Sequence, residues 1–298
     1  MKPEALTVGL VQQSCVNDVK INLDNCISGI KSAVKQGAKL VLLQELHNSL
    51  YFCQSENISH FSLAETIPGP STDRLAKIAT EYEVVIVASL FEKRAEGLYH
   101  NTAVVIDSDG SLAGQYRKMH IPDDPGYYEK FYFTPGDNDF RPIQTSIGSL
   151  GVMICWDQWY PEAARLMALA GAEILLYPTA IGWDQGDSPD EKIRQQQSWQ
   201  IIQRSHAIAN SLPVLSCNRV GFEIDETSAT NGIDFWGGSF VAGPQGEILA
   251  EASYNKEYVL VTDIYPSKMK NLRMIWPFLR DRRIDAYPDL LCRYRDKN

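Results

Sequence analysis

Short apolar runs punctuate the chain, and their spacing predicts alternating strands and helices. Leu6–Val11, Lys39–Leu43, Val84–Phe91, Ile174–Tyr177, Val214–Cys217, Gly238–Ala242, Ile248–Ala252 and Val259–Asp263 read as strands. The nearly unbroken run at Lys39–Leu43 is what a strand covered on both faces looks like. Thr102–Ile106 and Leu112–Arg117, joined by Asp107–Gly110, predict a hairpin, and Pro244–Gly246 marks the turn of a second. Ile143–Ile147 and Gly151–Ile154 are further strands. Helical spacing runs from Asn17, read as a cap, to Lys35, with Cys26, Ile27, Ile30, Ala33 and Val34 on one face and Gly37 as the stop. Other helices are expected from a Ser71 cap to about Tyr82, from Pro161, and from Asp190 to Asn210. Leu46–Pro70, Met119–Gly136 and Thr179–Pro189 read as long loops, which in compact domains are often functional. About ten strands exceed what one open sheet usually carries. Interleaved helices and hairpins then favour an α/β (α+β) fold of two packed mixed sheets flanked by helices. No linker, repeat or charge run divides the chain, so one domain over 1–298 is expected, with a basic and aromatic tail from about 266.

Three reactive side chains follow predicted strands. Glu45 leaves Lys39–Leu43, Lys118 leaves the hairpin, and Cys155 leaves Val152–Ile154 just before Tyr160-Pro161-Glu162 opens a helix. Taken singly, Glu45 could cap a turn, Lys118 could be solvated, and Cys155 could be core. Together a carboxylate, an ammonium and a thiol are the minimum set for acyl transfer through a thioester. Loops at one sheet edge are where such groups converge.

Composition narrows the class. The 298 residues are 44% hydrophobic and 22% charged, ordinary globular values. A formal net charge of −9 removes the basic footprint that nucleic-acid binding requires. Cys15, Cys26, Cys53, Cys155, Cys217 and Cys292 make no C-x-x-C pair, and His47, His60, His100, His120 and His206 are dispersed. Neither a disulfide framework nor a metal site is expected. Scattered cysteines, with no signal peptide and no membrane-length apolar run, point to a cytoplasmic protein. Asn57-Ile-Ser59 fits a glycosylation acceptor and is read as chance.

Leu43-Gln-Glu45-Leu, Tyr116-Arg-Lys118-Met-His and Ile154-Cys155-Trp-Asp, with Tyr160-Pro-Glu162 behind, resemble the motifs of the nitrilase superfamily of carbon–nitrogen hydrolases. The resemblance covers nearly the whole chain, from Val8 to the strand at Val259. It implies a four-layer αββα sandwich, a Glu45–Lys118–Cys155 triad, a supporting Glu129, no metal and no cofactor. It also implies a homo-oligomer, a dimer or larger, joined through the helix after Cys155. Within the superfamily the chain looks most similar to N-carbamoylputrescine amidohydrolases, through the segments 118–136, 155–164 and 177–182. That implies a small ureido substrate and a step of putrescine biosynthesis. Related N-carbamoyl-D-amino-acid hydrolases hold a substrate carboxylate with arginines where this chain has Gln158 and Trp159, which argues against an anionic substrate. Asp187 is the first choice for a distal ammonium, with Asp184 and Asp124 as rivals. The backbone N–H of Trp156 is expected at the oxyanion, and Tyr51, Tyr127, Trp156, Trp159 and Trp183 as pocket walls. A β-ureidopropionase-like or ω-amidase activity is the alternative within the chemistry; a non-catalytic nitrilase-like binding module is the alternative outside it.

Overall fold

A computed structural model describes residues 5–225, 227 and 230–295; the remaining residues of the expected domain lie outside it. The first part of the chain forms β1 (Leu6–Gln12), α1 (Val19–Lys35), β2 (Leu40–Leu43), α2 (Pro70–Tyr82), β3 (Val85–Ala95), β4 (Leu98–Ile106) and β5 (Leu112–Arg117). Next come α3 (Glu129–Tyr132), β6 (Ile143–Thr145), β7 (Gly148–Val152), α4 (Pro161–Leu169), β8 (Ile174–Thr179), β9 (Gly182–Asp184) and α5 (Pro189–Asn210). The chain continues through β10 (Val214–Asn218), β11 (Val220–Glu223), β12 (Ile233–Trp236), β13 (Phe240–Ala242), β14 (Ile248–Glu251), β15 (Tyr258–Ile264) and α6 (Pro266–Ile275).

Two six-stranded sheets result, ordered β15-β1-β2-β3-β4-β5 and β14-β13-β10-β8-β7-β6. In the first, β1, β2 and β3 are parallel and the outer pairings antiparallel; in the second, β7, β8 and β10 are parallel and the outer pairings antiparallel. Alternation along β2 shows how they stack. Leu40 and Leu42 join a core that also holds Leu150, Val152 and Leu176 of the second sheet. Val41 and Leu43 point the other way, into a core with Leu23, Ile30 and Ala33 of α1 and Leu75 of α2. On the far side, Met167 of α4 and Trp199 of α5 cover the second sheet. The αββα sandwich is therefore the observed architecture.

Several local expectations change. Asp18, not Asn17, caps α1, accepting from Ile21 N–H at 3.0 Å. Gly69, not Ser71, precedes α2; Pro70 takes the first helical position, and Thr72 Oγ1 accepts from Gly69 N–H at 2.7 Å. β7 ends at Val152, and Cys155–Trp159 is a 3-10 helix between strand and α4. More strands form than the apolar runs predict, because β9, β11 and β12 make a small third sheet. The loop at Leu46–Pro70 holds two 3-10 helices, and the loop at Met119–Gly136 holds α3. The expected tail begins with α6, whose Met269 is buried in the main core.

The topology brings the three reactive side chains to one place. β5 is antiparallel to β4, which is antiparallel to β3, so β5 runs with β2 and β3. Glu45 and Lys118 thus leave the first sheet at the same edge. Glu45 N–H donates to Thr179 O at the end of β8, 3.3 Å away, so the carboxyl ends of both sheets coincide. β7, which leads to Cys155, is parallel to β8.

The packing of α1 on β1 yields a prediction. A Cβ at Gly29 would lie 2.4 Å from Val11 Cγ1. Gly29→Ala should therefore lower stability by about 1–3 kcal/mol through overpacking, against the gain of about 1 kcal/mol that alanine gives in an open helix. Urea-unfolding midpoints of the two proteins measure the sign.

Candidate active site

Glu45 is fully buried. Its Oε1 accepts from Lys118 Nζ at 2.8 Å and from Asn101 Nδ2 at 2.7 Å. Its Oε2 is buried with no hydrogen-bond partner among the described residues. Lys118, also fully buried, donates a second bond to Glu129 Oε2 at 2.6 Å. Glu129 opens α3, and its Oε1 accepts from Tyr51 Oη at 2.7 Å. Two carboxylates therefore face one ammonium in a dry interior.

The electrostatics follow from that count. Burial opposes the charge on Lys118, but the Glu129 and Glu45 carboxylates outweigh it and hold its pKa well above the ordinary value. Burial pushes Glu129 up to about 7, although the Lys118 charge pulls the other way. Cys155 is raised well above a free thiol by burial and by the nearby Glu45 carboxylate, only partly offset by Lys118. This environment favours the neutral thiol over the thiolate.

Cys155 sits at a sharp turn. Its φ of 41° lies in the left-handed region, which costs a non-glycine residue on the order of 1–3 kcal/mol. Asp157, fully buried, holds that turn closed. Its carboxylate accepts from Ile154 N–H at 3.0 Å, Tyr116 Oη at 2.8 Å and His120 N–H at 3.0 Å, and contacts His120 Nδ1 at 2.7 Å. Tyr160 stacks on the His120 ring at 3.7 Å. His120 thereby fastens the segment after Lys118 to the segment after Cys155. Trp156 N–H lies in the first turn of the short 3-10 helix, where backbone donors have no acceptor within the helix.

A cavity of about 710 Å³ opens onto Cys155 and Glu129. Cys155, Glu129, Tyr127, Trp156 and Trp159 line its inner part; Asp124, Asp184, Asp187, Glu191 and Arg194 line its rim. Asp187 is half-buried and accepts from Gln195 Nε2 at 3.1 Å, whereas Asp124 and Asp184 are exposed. Two expected wall residues are elsewhere. Tyr51 lies behind Glu129 as its hydrogen-bond donor, and Trp183 packs on Trp236 while donating to Lys192 O at 2.9 Å. Gln158 is likewise off the wall, buried beside Thr179. No cluster of three or more potential metal ligands occurs among the described residues.

Asn101, Asp157, Glu191 and Arg194 escaped the sequence reading. Asn101 and Asp157 are buried polar residues beside apolar runs, a signal that by itself says only that a partner exists. Glu191 and Arg194 are three apart on α5 and read as an ordinary surface ion pair.

This assembly of thiol, carboxylates and ammonium at the edge of an αββα sandwich is the equipment of a hydrolase that works through a thioester. A model of the carbon-nitrogen hydrolase family matches residues 7–274, and the chain belongs to that family. It is thus an enzyme that hydrolyses carbon–nitrogen bonds. Among its relatives is the N-carbamoylputrescine amidase of Solanum lycopersicum, 44% identical over 292 residues, which cover 97% of this chain and 96% of that protein. The citrullinase of Francisella tularensis subsp. tularensis is 42% identical over 97% of this chain and 99% of its own. The crystal structure of a carbon-nitrogen hydrolase from Helicobacter pylori G27 is 54% identical, with a TM-score of 0.95 over 98% of this chain and all of that one.

The buried carboxylate of Glu129 predicts a pH signature. Its folded pKa of about 7 stands above the ordinary carboxylate value, so the folded state holds a proton that the unfolded chain has released. Stability from this group is complete below about 4.3, the unfolded value, and is lost as pH rises through about 7. Glu129→Gln removes that titration. Between these pH values the parent should lose unfolding free energy relative to the variant, as chemical denaturation at several pH values would measure.

Proposed function

We propose that the protein hydrolyses N-carbamoylputrescine to putrescine, carbon dioxide and ammonia, through a carbamoyl-thioester on Cys155. The observation that carries this reading is the Glu45 carboxylate. One oxygen is committed to Lys118 and Asn101; the other is buried with no partner among the described residues, and the Cys155 thiol lies near enough to feel the carboxylate's charge. The N-carbamoylputrescine amidase relatives support the choice of substrate.

Cys155 Sγ attacks the ureido carbon as its proton passes to Glu45. The carbonyl oxygen becomes an oxyanion. Lys118 has three N–H donors and uses two on carboxylates, leaving one for that oxygen beside Trp156 N–H. Collapse breaks the bond to the alkyl nitrogen, which takes the proton back from Glu45, and putrescine departs. Water then attacks the thioester carbon and gives a proton to Glu45. The C–S bond breaks, the thiolate recovers that proton, and carbamic acid decomposes to carbon dioxide and ammonia. Glu129 and Tyr51 hold Lys118 throughout. Asp187, half-buried at the rim, receives the distal ammonium, and Tyr127, Trp156 and Trp159 flank the alkyl chain.

Arg194 at the same rim favours a second reading, a ureido amino acid bearing both carboxylate and ammonium, and a citrullinase is among the relatives. It ranks second because Arg194 is exposed and already paired with Glu191. The catalytic domain spans the chain in this proposal, and the enzyme acts as a cytoplasmic homo-oligomer in putrescine formation. Exposed Leu166 and Leu169 on α4, with Ile201 and Ile208 on α5, support an oligomer face. No helix among the described residues is long and apolar enough to cross a membrane.

Ammonia release from N-carbamoylputrescine, N-carbamoyl-β-alanine and citrulline tests the reading. The first should be turned over best; preference for either of the others would overturn the substrate assignment. Cys155→Ala should remove turnover while the circular dichroism spectrum stays unchanged. Asp187→Asn should raise KM for N-carbamoylputrescine about tenfold, a loss of about 1.4 kcal/mol, and leave any residual activity on N-carbamoyl-β-alanine unaltered.

A further inference from the structure

Arg219 takes no part in the proton and acyl transfers, yet its guanidinium is fully buried against the back of the site. It follows β10 directly, and its own N–H donates to Thr179 O, the carbonyl that also receives Glu45 N–H. Its side chain converges on the turn after β2. Nη2 donates to Glu45 O at 3.0 Å and Leu46 O at 2.9 Å, while Nη1 donates to Ser49 O at 2.8 Å and Glu223 Oε1 at 2.7 Å. Leu46 has φ of 47°, a left-handed conformation that a leucine adopts only when its surroundings enforce it. The two adjacent carbonyls of that turn point at one guanidinium.

Glu223 carries the connection to the other carboxylate. Its Oε2 accepts from Tyr51 N–H at 2.6 Å, and Tyr51 Oη is the donor to Glu129. Phe235 packs under both partners, 5.5 Å from the Arg219 guanidinium and edge-on to the Tyr51 ring at 5.6 Å. A ring of contacts therefore closes: Arg219 to the Glu45 backbone, Glu45 to Lys118, Lys118 to Glu129, Glu129 to Tyr51, Tyr51 to Glu223, and Glu223 to Arg219.

We propose that the buried Arg219–Glu223 pair is the positioning device of this site, fixing both carboxylates against Lys118 without touching substrate. The arginine sets where the Glu45 side chain starts, and the glutamate sets where the Tyr51 hydroxyl ends. Lysine cannot replace the arginine in this task. A single ammonium is a point charge, whereas the planar fork spans carbonyls on one prong and a carboxylate on the other.

The kinetic half of the test rests on the amidase reading; the chemical half does not. In a Cys292→Ser background, which removes the exposed cysteine, Arg219→Lys is compared with its parent. Folding is followed by thermal unfolding, turnover by ammonia release from N-carbamoylputrescine, and site integrity by the rate of Cys155 alkylation by iodoacetamide, read by peptide mass spectrometry. A cooperatively folded variant should lose about tenfold or more in kcat, with KM kept within about twofold, and Cys155 alkylation should slow by a similar factor. Parent-like kcat and alkylation in the folded variant would overturn the proposal. If Arg219→Lys does not fold, Glu223→Gln takes its place with the same readouts and a smaller expected loss of about fivefold. Failure of both to fold would reduce the pair to structural support and overturn the proposal too. A parent that alkylates at Cys155 but releases no ammonia would defeat the substrate reading alone, and the alkylation comparison would still decide the role of Arg219.

Discussion

One ammonium between two carboxylates, all buried at the inner edge of the cavity, is the constraint that the surrounding structure serves. Lys118, Glu45 and Glu129 carry one more negative than positive charge if all are ionised. A dry interior does not tolerate that excess, and the protein answers by raising Glu129 toward neutrality. Removing Lys118 would leave both carboxylates buried without their cation, and breaking a buried pair in this way typically costs about 3–5 kcal/mol. The αββα sandwich provides the low-dielectric edge that makes the cluster electrostatically strong. Asn101 of β4 adds a hydrogen bond to Glu45, and Tyr51 from the loop after β2 adds one to Glu129.

The same logic explains why the thiol waits in neutral form. A thiolate stored beside Glu45 would add charge of the wrong sign to a cluster that already has too much. In the proposed mechanism, proton transfer to Glu45 moves charge without creating more of it.

The layers, most strands, the helices and the three strand-exit residues were legible in the sequence because periodicity and abrupt polarity changes are local signals. Val41 and Leu43 announce a strand covered on both faces whatever lies above them. Asn17 misled as a cap because Asp18, equally able to cap, stands beside it, and Ser71 because the helix already begins at Pro70, which leaves Gly69 at the cap. β9, β11 and β12 were illegible because none is long enough to show alternation. In the site, Glu45, Lys118 and Glu129 are hydrogen-bonded to one another and Cys155 lines the same cavity as Glu129, while Tyr51 and Trp183 are not on its wall. An aromatic side chain in a loop carries no mark of which way it faces. Asn101 and Arg219 act through contacts across the sheet edge, far away in sequence, and no local pattern could disclose them.

The shared carbonyl of Thr179 has a mechanical consequence. Main-chain bonds from Glu45 and Arg219 meet on it, so the end of one sheet is laced to the end of the other. Layers joined in this way cannot slide past one another by a residue without breaking the lacing, and the chemical end of the cavity is held to a single geometry. Variation in length or charge of the ligand then falls on the rest of the cavity lining, which includes the segment from Gly182 to Arg194. A lineage could change what the enzyme consumes by rewriting that segment while the reaction centre stays as it is.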